Sequence, residues 1–310
     1  MNHRCHPTGR GRAEAGAALL AVLWIVALLL GLVAAASLLL TQDLELGAVK
    51  RQVFRARMLG EAGLAIAMNP DIKPDDPLLR QQIAPDERVE VEMTGEDGLL
   101  NPNALLARED RETFRRVFRY WGIDLQRTDA IIDALMDWVD GDDFVRVRGA
   151  ESKAYGRTGM PFNIPFRSVE EMGMVRGMNE VEAVYPGWRS WFSVYAGAAL
   201  DVNEARPEII SAVTGADIRL ANQLRSMRLG RDGVLNTVDD APITDLQSAL
   251  QILGIATTQS QQALAGVLTT TSGTRRILVK VQVGDFERQV AAVVRGAAGQ
   301  GITILWMGER

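Results

Sequence analysis

Six carboxylates crowd one short stretch of the chain: Asp133, Asp137, Asp140, Asp142, Asp143 and Glu151. Asp133 and Asp137 are four apart, so on a helix they share a face. Gly141 then breaks the helix into an acidic loop. Carboxylates this close repel one another, and a hard divalent cation with six to eight oxygen ligands removes that penalty. With Asp140 at position 1 of a calcium loop, Asp142 and Glu151 fall at positions 3 and 12. Position 6 is then Val145 rather than the glycine an EF-hand requires, so the pattern is not an EF-hand. The alternative is a solvated acidic loop with helix-capping aspartates, and spacing alone leaves both open. A second cluster, Asp232, Asn236, Asp239 and Asp240 around Gly233, reads either as a weaker calcium loop or as an ordinary surface turn built from preferred turn formers.

Other chemistry is scarce. Both histidines, His3 and His6, and the single cysteine, Cys5, precede the first long apolar run. The rest of the chain therefore has no imidazole or thiol, which excludes most nucleophile–base pairs and zinc sites. No phosphate-binding glycine loop or dinucleotide fingerprint occurs. Paired acids such as Asp137 and Asp140 could serve a glycosidase, but only within a cleft. Residues 200–215 (LDVNEARPEIISAVTG) read as a helix with Asn203 as N-cap and Gly215 as its stop. Such a unit can be a helix-hairpin-helix for nucleic acid, yet it offers Arg206 against Asp201, Glu204 and Glu208. The six tryptophans (Trp24, Trp121, Trp138, Trp188, Trp191 and Trp306) read as lipid-facing and core residues.

The element that places the protein is the run 15–40, which contains no charged residue. A bilayer-spanning helix needs about 20 residues, and a secretory signal has a core of only ~7–15. Residues 1–16 carry Arg4, Arg10 and Arg12 against Glu14, a net +2. A basic leader before a span predicts a cytoplasmic N-terminus and a translocated bulk. The natural processing point is Gly16, which would leave 31 basic and 38 acidic residues, net −7. That charge opposes binding to phosphate backbones.

From 17 to 67 no proline interrupts the pattern, which predicts one helix of roughly 75 Å. Its second half is amphipathic, with Leu46, Val49, Val53 and Phe54 on one side and Lys50, Arg51, Arg55 and Arg57 on the other. Strand alternation appears at 88–93, 276–283, 286–295 and 302–308, with a hairpin turn at Gly284-Asp285. Helical spacing marks 111–120, 129–139, 169–176, 204–213, 217–227 and 244–253. The expected class is α+β: a small antiparallel sheet (68–106 and 270–310) beside the long helix, with an all-α domain (107–269) inserted in it. The span occupies 17–40 of the helix 17–67, and 1–16 is the leader.

Gly16-Ala17-Ala18-Leu19-Leu20 after a basic leader resembles the start of a type IV pilin-like protein. Asp137-Trp138-Val139-Asp140-Gly141-Asp142, Gly149-Ala150-Glu151 and Tyr155 narrow the resemblance to the type II secretion system protein K family of minor pseudopilins. Asn163-Ile164-Pro165-Phe166, Ser168-Val169-Glu170-Glu171-Met172 and Val202-Asn203-Glu204-Ala205 follow in that family's order. The match covers 16 to about 215 and is looser beyond, where Asp232, Asn236, Asp239 and Asp240 lie. The resemblance implies a non-enzymatic subunit capping the tip of a periplasmic pseudopilus in support of protein export. It also implies cleavage after Gly16 by prepilin peptidase, methylation of Ala17, a single-pass inner-membrane anchor, and other minor pseudopilins as partners. Calcium is the implied ion, with Asp137, Asp140, Asp142 and Glu151 as its ligands. The fifth residue after that cleavage is Ala21, where most pilins have a glutamate and protein K does not. The rival readings are a membrane-anchored module binding DNA through the helical hairpin and a carboxylate-dependent hydrolase.

Overall fold

A single helix, α1 (Gly11–Ala67), carries the chain from the apolar run into the folded head. The structure, a computed structural model, describes residues 11–69, 71–157, 159–235, 237–296 and 301–309, with 11–17 and 39–45 as helix backbone alone. The helix begins six residues before the expected start at Ala17, because Arg, Ala and Glu dominate 12–15 and all favour helix. At its other end the breaker-rich stretch around Asn69 stops it where expected.

Among the described residues, five antiparallel strands form the main sheet in the order β1 (Arg80–Ala84), β2 (Glu87–Gly95), β5 (Thr274–Val283), β6 (Phe286–Arg295) and β7 (Thr303–Glu309). Gly284, at φ +59°, supplies the left-handed residue that closes the two-residue β5–β6 turn, where Val283 pairs with Phe286. Alternation points Val89, Val91, Met93, Ile277, Val279 and Val281 to one face. The last three turns of α1 lie on that face through Ala56, Leu59, Leu64 and Ala67. Small residues let the backbones approach. A Cβ on Gly63 would meet Val279 Cγ1 at 2.8 Å, and Val89 and Val91 at 3.3 Å.

The amphipathic reading of α1 needs correction here. Leu46, Val49 and Phe54, expected with Val53 to share one side, are 56%, 52% and 65% exposed while Val53 is half-buried, and Met58 is exposed as well. Leu46 and Val49 precede the sheet, whose turn at Gly284 meets the helix at Gln52, and Phe54 and Met58 lie off the face that carries Ala56, Gly60, Gly63 and Ala67. A strip of large apolar side chains is left in the open.

Between β2 and β5 the chain folds into a helical block: α2 (Pro102–Ala107), α3 (Arg111–Tyr120), α4 (Leu125–Val139), α5 (Ser152–Tyr155), α6 (Val169–Met172), α7 (Met178–Val184), α8 (Pro207–Thr214), α9 (Ile218–Arg228), α10 (Leu246–Ile252) and α11 (Thr258–Ala265). A short parallel pair, β3 (Leu200–Asp201) with β4 (Leu268–Thr269), ties its middle to its end. Aspartates cap the helices: Asp110 accepts from Thr113 N, and Asp124 from Arg127 N. Phe114, Phe118, Trp138, Trp188 and Trp191 are buried in one core, as their sequence positions led us to expect. Asn203 is not the cap of α8, whose N-cap is Arg206. Its amide instead donates to Ile243 O and Thr270 O and accepts from Ile243 N, tying three segments together. Gly215 does end that helix, in the left-handed conformation.

Two buried acids join block to sheet immediately after β2. Glu96 receives Arg276 of β5 through Nε at 2.8 Å and Nη2 at 2.7 Å, and also Ser193 Oγ. Asp97 accepts from Gly197 N at 2.6 Å, Gly273 N at 2.8 Å, and Thr274 N and Ser272 Oγ at 3.1 Å.

The helix–sheet contact is testable at Gly63. Alanine there gains up to ~1 kcal/mol of helix propensity, but its Cβ would sit 2.8 Å from Val279 Cγ1, on a β-branched side chain that cannot swing away. Overpacking of this kind costs about 1–3 kcal/mol, and further bulk adds to it. We expect Gly63→Ala to lower the thermal midpoint of the detergent-solubilised chain and Gly63→Val to lower it further. Midpoints equal to the parent's in both variants would refute a close contact.

Candidate cation site

Helix α4 delivers its two aspartates to the interior because its outer face is turned toward α3. Asp133 receives Arg111 Nη2 at 2.6 Å and Arg148 N at 3.2 Å. Asp137 is fully buried and satisfied on both oxygens, by Arg146 Nη1 at 2.7 Å, Arg146 N at 3.2 Å and Ala150 N at 2.8 Å. Gly149 makes this possible, since a Cβ there would lie 1.8 Å from Asp137 Oδ2. The Gly149-Ala150 dipeptide is thus a cradle for Asp137.

Asp140 is the C-cap of α4, in extended conformation, and is ion-paired to the same Arg146 Nη1. Its Oδ1 is buried and accepts no hydrogen bond. Asp142 turns back on its own loop, taking Phe144 N at 2.9 Å. Glu151, just ahead of α5, is 4% exposed, and neither of its carboxylate oxygens has a hydrogen-bond partner. Burial, and then the charges of Asp137, Asp140, Asp143 and Asp142, push the Glu151 carboxyl up to about 7. Two residues escaped the sequence reading. Arg146 enters the acidic cluster as its internal cation. Asn163, at φ +52°, donates its backbone N–H to Trp138 O and its amide to Asp142 O, both at 3.1 Å, leaving a buried, unpartnered Oδ1. An arginine inside a run of acids was the available signal for the first; the second stood in the Asn163-Ile164-Pro165-Phe166 motif, with nothing there to tie it to the acids.

The structure therefore gathers Asp137, Asp140, Glu151 and Arg146 around one loop and leaves Asp142 at its edge. Among the described residues, no three acids converge as a finished ion cage. The orphaned atoms are nevertheless all oxygens: Asp140 Oδ1, both of Glu151 and Asn163 Oδ1. That donor set suits a hard cation such as calcium, so the residues fit one. Asp140, Glu151 and Asn163 would hold it, while Asp137 is committed to the backbone.

The second acidic loop is built differently. Asp232 accepts from Val234 N at 2.8 Å, and Asp239 takes Arg231 N at 2.6 Å and Thr237 Oγ1 at 2.8 Å. Those hydrogen bonds, from Thr237 first and then Arg231, hold the Asp239 carboxyl below its usual range. Asp240 lies beside Thr237 N at 3.3 Å, and Asn236 lies outside the described residues. The Asp232 and Asp239 carboxylates are spent on turn hydrogen bonds.

Trp138 anchors the first loop. It is fully buried, donates Nε1 to Glu171 Oε1 at 3.1 Å, and packs against Tyr155, Phe162 and Phe166. Phe166 is held in turn by a reciprocal pair of hydrogen bonds with the Asn103 side chain, at 2.8 and 2.9 Å.

The raised Glu151 pKa has a definite consequence. The folded protein holds that proton more tightly than the unfolded chain, whose glutamates titrate near 4.5. Stability from this group is present below about 4.5 and lost as pH rises to about 7. In a calcium chelator the thermal midpoint should fall across that window, and Glu151→Gln should flatten part of the fall. Buried Asp201, raised to about 6 mainly by burial, contributes a slope of the same sign that survives the substitution. A Glu151→Gln profile superimposable on the parent would contradict the assignment.

Residues 98–196, which contain the whole first acidic loop and its Trp138 anchor, match the family described as type II secretion system (T2SS), protein K. No curated protein matches the chain. Among solved structures, the chain shares its fold with a chain of the GspK-GspI-GspJ complex from the enterotoxigenic Escherichia coli type 2 secretion system. The TM-score is 0.64 at 16% identity, over 87% of this chain and 99% of that one. The family likeness is thus carried by residues 98–196 and the likeness of fold by most of the chain.

Proposed function

We propose that this protein is a minor pseudopilin standing at the tip of a periplasmic pseudopilus, where it supports protein export across the outer membrane. It is a structural subunit, not an enzyme. The observation that carries the reading is the uncovered apolar face of α1. Ala18–Leu38 is long and apolar enough to cross a membrane and is wholly unburied. The strip Leu46, Val49, Phe54 and Met58 continues past it, beyond the reach of the chain's own sheet. Such a surface suits lateral packing against the helices of other minor pseudopilins, as counterparts of GspI and GspJ.

Two features favour the end of the assembly. The helical block between β2 and β5 is too bulky to recur at every position of a tight fibre. Ala21 replaces the acid that would pair with the N-terminal amine of a subunit ahead. An unpaired carboxylate in lipid costs several kcal/mol, and a subunit with nothing ahead of it has no partner for one. The basic leader places the N-terminus in the cytoplasm, with a single pass through the inner membrane. Maturation follows as cleavage after Gly16 by prepilin peptidase and methylation of Ala17. Calcium is the proposed ion at the first acidic loop, held by Asp140 and Glu151 of the expected set and by Asn163 in addition, with Asp137 and Asp142 engaged by the backbone.

Mass spectrometry of the protein from a membrane containing the peptidase should find a methylated Ala17 at the N-terminus. An uncleaved chain, or a cut elsewhere, would sink the pilin-like maturation. Co-expression with the companion minor pseudopilins should yield a complex. Phe54→Glu should weaken it by about 2 kcal/mol, on the order of thirtyfold in affinity, as expected for loss of a large apolar anchor. Its own thermal midpoint should be unchanged. Full-strength assembly of that variant would overturn the role given to this face.

A further inference from the structure

We infer that Arg146 is a built-in competitor of the cation: its guanidinium and the ion claim the same carboxylate, so each weakens the other's hold on Asp140. The inference rests on the reading of the first acidic loop as a cation site.

The geometry sets up the conflict. Arg146 Nη1 contacts Asp137 Oδ1 at 2.7 Å and is ion-paired to Asp140 Oδ2 at the same time. Burial works against the Arg146 charge, but the hydrogen bonds and charges of Asp140 and Asp137 outweigh it, and its pKa is raised. One guanidinium brings a single charge and donors in a fixed plane. It leaves Asp140 Oδ1 and both Glu151 oxygens without a partner. A divalent ion demands several such oxygens at once, and it repels a guanidinium already seated among them. Arg146 holds Asp140 Oδ2 and the ion would take Oδ1, so two positive groups meet on one carboxylate and each weakens the other's hold.

The residues are unequal in their freedom to adjust. Asp137 is pinned by Ala150 N and by the absence of a Cβ at Gly149, so it stays where it is. Arg146 keeps a third of its side chain in solvent. Its neighbours Phe144, Val145 and Val147 are 83%, 60% and 98% exposed. The Arg146 side chain has an open path outward, and little packing holds the loop that bears it. Without an ion, Arg146 stabilises the loop; with one, its hold on Asp140 loosens. The competition weakens the apparent affinity of the site and keeps the ion-free head folded.

The test is calorimetric titration of calcium into the full chain in detergent, for the parent, Arg146→Met and Arg146→Lys. Methionine retains an apolar stem and removes the charge. We expect Arg146→Met to bind about tenfold more tightly, roughly 1.4 kcal/mol. Arg146→Lys should fall between, because an ammonium is a compact point charge without the guanidinium fork. In chelator the thermal midpoint of Arg146→Met should drop below the parent's, and saturating calcium should erase the difference. If Arg146→Met unfolds in chelator, its affinity is read by folding at graded free calcium, and the lysine variant carries the same comparison. Parent and Arg146→Met binding equally, or Arg146→Met binding more weakly, would overturn the competition alone. No binding by any of the three would overturn the cation reading as well.

Discussion

The burial of acids that only distant parts of the chain can satisfy is the constraint on which the rest of the structure depends. Asp97 follows β2 and is 4% exposed, yet its donors come from residues 197 and 272–274. Glu96 beside it requires Arg276 of β5 and Ser193 of the helical block. A buried carboxylate without such partners is strongly destabilising, because removing one side of a buried pair costs about 3–5 kcal/mol. Sheet and helical block therefore cannot separate at this joint without stranding two charges. A long insertion in a small sheet is held to a fixed geometry in this way, although only two chain crossings connect it.

The acidic loop obeys the same rule and then departs from it. Asp133, Asp137 and Glu171 each receive donors from a different segment, and each is content. Glu151 and one oxygen of Asp140 are not. Around this one loop four oxygen atoms, and no donor, are left without a hydrogen bond. That asymmetry distinguishes the first loop from the second, where Asp232 and Asp239 accept from their own turn. Acid density in the sequence is similar in the two loops. What differs is where the N–H groups point, and that is a property of the folded backbone.

Much of the architecture was legible because it is written locally. The alternation of 286–295, the Gly284 turn and the capped spacing of 111–120 are each decided within about ten residues, and each stands at or near its expected bounds. α4 starts four residues earlier than its periodicity suggested, because Asp124 caps it. Strands β1, β3 and β4 and helices α2, α5, α7 and α11 were missed, being short and weakly patterned. Asn203 looked like a cap because its neighbourhood looked like a helix start, but partners at 243 and 270 claimed it. The face of α1 was misread for a related reason. Periodicity finds the most apolar stripe, whereas the sheet selects the stripe that lets backbones approach closely, and glycine weighs little on a hydrophobic scale. Arg146 and Asn163 were invisible because their roles depend on a loop closing over α4.

The correction on α1 bears most directly on function. A helix of this length meets three environments, and its sequence answers each separately. Ala18–Leu38 is apolar all round and unburied, which suits lipid or a ring of similar helices equally well. Gly60, Gly63, Leu64 and Ala67 are small enough for the helix to serve as the spine of the sheet. Between them Leu46, Val49, Phe54 and Met58 stay exposed, with Lys50 in the same row as Leu46, Phe54 and Met58, and with Arg51 and Arg55 further round the helix. Large apolar side chains in a row, aligned with the span and outside the head's own core, are a poor design for a helix that only anchors a domain. They suit a helix that must leave the bilayer in company, since the surface once covered by lipid then needs an equally apolar neighbour along its whole length. On the proposed reading, the anchor and the assembly interface are one continuous surface used in succession.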